Sequence, residues 1–179
     1  MSAPPALTRL NAAIARAGGA LATLFLAIMV VVILLQVVFR YVLNDSLAWT
    51  EELSKLMMVW VAFLVAPHGY RTGAHISIEL FRDALPARLV QVLNLGVHAL
   101  ILWIAGVFFL ESLSFWQRGL AVQAASLPIP LALAYSVLPV SLFALGLVAL
   151  ERLLEQLGQL ARPLAAAVPE PRDIARIPE

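Results

Sequence analysis

The side chains able to do chemistry are few, and most stand at the ends of apolar runs. Glu51, Glu52 and Lys55 open one run, His68 closes it, and His98 lies inside another. Two histidines at one depth on facing helices could ligate a haem iron. His98 falls about nine residues into its run, so at 1.5 Å per residue it differs in depth from His68 by roughly 13 Å. That offset speaks against a bis-histidine haem and leaves His98 as a hydrogen-bonded core histidine. The chain has no Ser/His/Asp grouping, Gly-rich phosphate loop or paired metal-ligand motif. It also has no cysteine, which excludes disulfides, thiolate metal sites and cysteine redox chemistry. Apart from His98 no ionisable residue is expected near mid-membrane, where a coupled pump or antiporter usually needs one. Neither an enzyme nor a bound cofactor or metal is expected.

The elements that carry these residues are set by hydropathy. The chain is 62% hydrophobic and 13% charged with a mean hydropathy of +0.92, far from a soluble globular composition. Its net charge of +1 and scattered arginines give no nucleic-acid signal. We expect an all-α membrane protein with four transmembrane helices, spanning about 17–39, 47–68, 89–110 and 131–150. Residues 1–16, with a weak stripe of Leu7, Leu10 and Ile14, read as an N-terminal arm forming a brief helix on the membrane surface. The four-helix domain then covers 17–157 and a flexible tail 158–179, where prolines recur. The first apolar run is too long for a signal-peptide h-region, and Arg40-Tyr41 rather than a small-residue cleavage site follows it. Gln36 inside this run suggests an interhelical hydrogen bond. Pro67 and Gly69 should end the second span, and Pro139 should kink the fourth. Residues 111–130 read as a loop, and 151–160 extend the last helix with a polar face. No internal repeat is visible, which disfavours a self-contained transporter built from repeats.

The charges at the head of the second span follow helical spacing. Glu51 and Lys55 lie four residues apart in the favourable order for an ion pair. Lys55 sits roughly 9 Å deeper than the interface marker Trp49, so pairing and snorkelling ease its insertion. Asn44, Asp45 and Ser46 are N-cap candidates, and both glutamates stand near the positive end of the helix dipole. The cluster either sets the depth of the helix or turns Glu51 and Glu52 toward a partner helix. Nine of the eleven arginines fall in the two termini and the middle loop. By the positive-inside rule these segments are expected in the cytoplasm.

Ordered pieces of the chain resemble a known family. Phe39-Arg40-Tyr41, Trp49-Thr50-Glu51-Glu52, Trp60 and Phe63, and Arg71-Thr72-Gly73-Ala74-His75-Ile76 occur in sequence. They are followed by Pro128-Ile129-Pro130, Tyr135 and Leu138-Pro139. This order is similar to the small membrane subunit of tripartite ATP-independent periplasmic (TRAP) transporters, and the resemblance covers about residues 38–141. Pro67-His68 departs from it, since small apolar residues would be expected before the arginine. The resemblance implies a scaffold. A periplasmic binding protein would capture an organic acid, a large membrane subunit would carry it inward on a sodium gradient, and this chain would hold the large subunit's static framework. Arg40, Tyr41, Trp49, Glu51, Glu52, Lys55, Trp60, Arg71, His75, Pro128, Tyr135 and Pro139 become candidates for subunit contacts or structural roles. The family's substrate ligands belong mainly to other subunits. A membrane anchor for a redox enzyme is the alternative, and a small autonomous channel or exporter a third reading.

Overall fold

A computed structural model describes residues 5–45, 47–72 and 87–160, and all its regular elements are helices. They are α1 (Pro5–Tyr41), α2 (Ala48–Arg71), α3 (Ala87–Gly119), α4 (Leu131–Tyr135) and α5 (Val137–Leu160). Helices α1, α2 and α3 and the combined α4–α5 segment are each long and apolar enough to cross a membrane. Helix α1 packs on α2, α2 on α5, and α5 on α3, while α4 leans on α3 and the start of α1 reaches α5. One end of the bundle, here the terminal end, holds the start of α1 and the ends of α2 and α5. The opposite, loop end holds the 42–47 and 120–130 connections.

The arm expected to lie separately on the membrane surface is instead the first part of α1. Its 37 residues measure about 55 Å at 1.5 Å per residue, well beyond a hydrocarbon core of roughly 30 Å. What joins arm to span is a seam of small residues rather than the Leu7/Leu10/Ile14 stripe, of which Leu10 is exposed. Asn11, Ala15 and Ala22 are buried, and Gly18 and Phe25 continue their alternating spacing of four and three residues. Small residues let backbones approach in lipid, where dispersion replaces the hydrophobic effect between helices. A Cβ on Gly18 would stand 2.8 Å from the Leu64 carbonyl oxygen of α2. Phe25 meets Trp60 edge to face at 5.4 Å. The rest of the core is built in the same way, from Ala105, Ala132, Ala134, Ala144, Val148 and Ala149.

Helix α2 does not stop at His68 but runs through Pro67 to Arg71. A proline inside a helix leaves the carbonyl four residues earlier without its N–H donor. Here that carbonyl belongs to Phe63, and the buried Ser141 hydroxyl of α5 donates to it. A serine from a neighbouring helix thus repairs the break, as membrane helices allow. The helix is interrupted at Ser136, between α4 and α5, in the turn before Pro139, whose missing N–H leaves the Tyr135 carbonyl without its helical donor. Pro139 occupies the first turn of α5, where a helix needs no N–H donor. Helix α3 continues to Gly119, past the expected end near Leu110, so the connection is 120–130 rather than 111–130. Gly119 is required there, because a Cβ would meet Tyr135 at 2.8 Å and the Ala132 backbone at 2.9 Å. The expected polar extension over 151–160 is part of α5, but its first residue, Glu151, is buried.

Candidate functional site

Two sets of polar side chains close the bundle, one at each end. At the loop end, Glu51 in the first turn of α2 and Glu52 just after it point to different partners. Glu51 pairs with Lys55 at 2.8 Å on the exposed surface, as the spacing predicts. Glu52 turns the other way, and its carboxylate accepts the backbone N–H groups of Ala125 at 2.8 Å and Ser126 at 2.5 Å. Across the 120–130 connection, Ala124 N donates to Ile129 O and Leu131 N to Val122 O. Glu52 therefore clips this connection onto α2. Of the proposed caps, neither Asn44 nor Asp45 serves α2 by a side chain. Leu47 is the N-cap, Thr50 Oγ1 donates to the Leu47 carbonyl at 2.6 Å, and Asn44 takes a left-handed φ of 53° in the turn before it. Ser46 lies outside the described residues.

Deeper in the bundle, Trp60 Nε1 donates to the Ala134 carbonyl in α4 at 3.0 Å, linking α2 to the short helix before the Ser136 break. Tyr135 stacks on Phe115 at 4.3 Å. Tyr70 Oη and His98 Nδ1 share a 2.8 Å hydrogen bond, which makes His98 a bonded histidine between α2 and α3. Gln36 is half-buried, and no hydrogen bond links its side chain to another described residue, contrary to the interhelical bond expected.

At the terminal end, Glu151 and Asn11 are 2% and 0% exposed. Asn11 Nδ2 donates to Glu151 Oε2 at 2.7 Å and to the Leu147 carbonyl at 3.1 Å. Glu151 Oε1 faces Arg71 Nη2 at 3.9 Å, and that nitrogen donates to the Thr8 carbonyl at 3.3 Å. Arg152 donates to the Arg71 carbonyl at 2.5 Å and pairs with Glu155 at 3.2 Å. Of this group the sequence reading singled out only Arg71. It missed Asn11 and Glu151, whose signal lay in the small-residue seam of α1 and in the one acidic residue adjoining the apolar run of α5.

Among the remaining candidates, Arg40, Tyr41 and Trp49 are exposed around the 42–47 connection, and Pro128 is exposed in the 120–130 connection. Pro139 is half-buried and His75 lies outside the described residues. Long apolar faces of α1 and α3 carry exposed Val31, Leu34, Trp103, Phe108 and Leu110. Among the described residues no three His, Asp or Glu side chains gather into a metal site. Among the described residues these polar groups tie helices and connections to one another.

Comparison with known proteins agrees with this architecture. The family described as tripartite ATP-independent periplasmic transporters, DctQ component, matches residues 29–159. The isethionate TRAP transporter permease protein DctMQ of Oleidesulfovibrio alaskensis is 30% identical over 144 residues, which cover 76% of this chain and 22% of that protein. The sialic acid TRAP transporter small permease protein SiaQ of Vibrio cholerae is 32% identical over 78 residues, 42% of this chain and 45% of the relative. The sialic acid TRAP transporter permease protein SiaT of Haemophilus influenzae is 33% identical over 79 residues, 44% of this chain and 13% of the relative. The chain thus spans less than half the length of these curated relatives. No solved structure matches it significantly. A four-span helical bundle whose family match covers α2 through α5 and part of α1 belongs to the DctQ-component family of TRAP transporters.

Proposed function

We propose that this chain is the small, non-catalytic membrane subunit of a TRAP-type importer of organic acids, in a bacterial inner membrane with the terminal end cytoplasmic. It packs against a large membrane subunit as part of the static frame and helps to dock a periplasmic binding protein at the loop end. The observation that carries this reading is the division of the surface. Polar side chains are spent on tying the helices together at both ends, whereas the long faces of α1 and α3 are apolar and open. A carrier for an anionic solute needs compensating polar groups at depth, and between the two ends the buried residues are chiefly alanine and valine, with Ser112 and Ser141 bonded to backbone carbonyls. The relatives named as whole permeases support a large membrane partner, since this unit matches only a minor part of each. The distribution of arginines supports the orientation.

The test is co-purification. Tagged large subunit should retain this chain through detergent extraction, and charged substitutions on the open faces, such as Leu34→Arg or Phe108→Arg, should release it without unfolding it. Retention of both variants at the level of the unaltered chain contradicts the frame assignment.

A further inference from the structure

We infer that Asn11, Arg71, Glu151 and Arg152 form a register lock that makes the first part of α1, the end of α2 and the middle of α5 a single rigid unit. The bonds close a triangle between three helices. Asn11 joins α1 to α5 through Glu151 and Leu147, Arg71 joins α2 to α1 through the Thr8 carbonyl, and Arg152 joins α5 to α2 through the Arg71 carbonyl. Leu147 and Glu151 are one helical turn apart on α5, so Asn11 grips two successive turns of the same face.

The lock adds to the register that the seam of Asn11, Ala15, Gly18 and Ala22 sets by close approach, where Gly18 leaves room for the Leu64 carbonyl. The network is also not a cheap way to gain stability. Glu151 is buried, and Asn11 Oδ1 is buried without a hydrogen-bond partner. Buried ionic groups of this kind are best attested as devices that fix register and exclude alternative packings. Sliding α1 by one turn would take Asn11 away from both its acceptors and leave the Glu151 carboxylate inside the protein without its amide donor. The bonds that hold α1 therefore support one another, as in a connected buried network.

The full chain in lipid nanodiscs provides the test, and it reads this chain alone, so its outcome is separate from that of the subunit assignment. Because the chain contains no cysteine, Arg9→Cys on α1 and Leu157→Cys on α5 place two spin labels at exposed positions flanking the lock. Pulsed electron spin resonance should give one narrow distance distribution. Glu151→Gln, which removes the charge, and Asn11→Leu, which removes the amide donor, should broaden or shift it by about one helical turn, roughly 5 Å. Glu51→Gln, which breaks the exposed pair at the other end, should leave it unchanged. Should Glu151→Gln fail to fold, Asn11→Leu decides alone: a broadened or shifted distribution upholds the lock, and an unchanged one overturns it. A broad distribution in the unaltered network, or a narrow one retained in both Glu151→Gln and Asn11→Leu, also overturns the inference.

Discussion

Gly18→Ala tests whether the close α1–α2 seam carries the bundle. The added Cβ would stand 2.8 Å from the Leu64 carbonyl oxygen, a backbone atom that cannot rotate aside like a side-chain tip. Overpacking of this kind costs about 1–3 kcal/mol, and the helix gains back up to about 1 kcal/mol from replacing glycine. A matched control isolates the clash. Gly106 lies in α3 with nothing within 4 Å of its would-be Cβ, so Gly106→Ala receives the propensity gain alone. The difference between the two variants is then the overpacking cost. At roughly 2–4 °C per kcal/mol for a chain of this size, Gly18→Ala should melt about 2–12 °C below Gly106→Ala. Thermal unfolding in detergent, followed by circular dichroism and repeated at several scan rates, measures that gap. If Gly18→Ala melts at or above Gly106→Ala, α1 and α2 are not held by backbone approach and the reasoning fails.

Three further outcomes follow from individual contacts. Ser141→Ala should destabilise the bundle by about 1–3 kcal/mol by orphaning the Phe63 carbonyl, and Pro67→Ala should suppress that loss by returning the missing N–H, a coupling that a double-mutant cycle measures. Glu52→Gln should speed amide hydrogen exchange at Ala125 and Ser126, whereas Glu51→Gln should leave both rates unchanged. Single cysteines replacing Arg16 and Thr72 should resist an impermeant thiol reagent added from the periplasm, and those replacing Asn44 and Gln123 should react; the reverse pattern would invert the orientation.

How much of this was legible in the sequence depends on the kind of signal. Four apolar runs revealed four spans, because spanning a bilayer demands length and hydropathy that little else imitates. The Glu51–Lys55 pair was readable because an i, i+4 spacing is local. The Glu52 clip was not, since its donors lie more than seventy residues away. Helix ends failed for the same reason. Pro67 looks like a stop until Ser141 is known to sit beside Phe63, and nothing local in the chain announces that meeting. The arm's continuity with the first span does not show in its stripe of Leu7, Leu10 and Ile14. In lipid the packed face of a helix is marked by small residues, and Asn11, Ala15, Gly18 and Ala22 had that spacing throughout.

The central claim, that this chain frames a transporter and carries no solute itself, is tested most directly by uptake into proteoliposomes under an imposed sodium gradient. Vesicles should be prepared with this chain alone, with the large membrane subunit alone, and with both, each in the presence of the matching binding protein and a radiolabelled organic acid. The account predicts no concentrative uptake by this chain alone and full uptake only when both membrane subunits are present. Accumulation of the acid against its gradient in vesicles holding only this chain would contradict it.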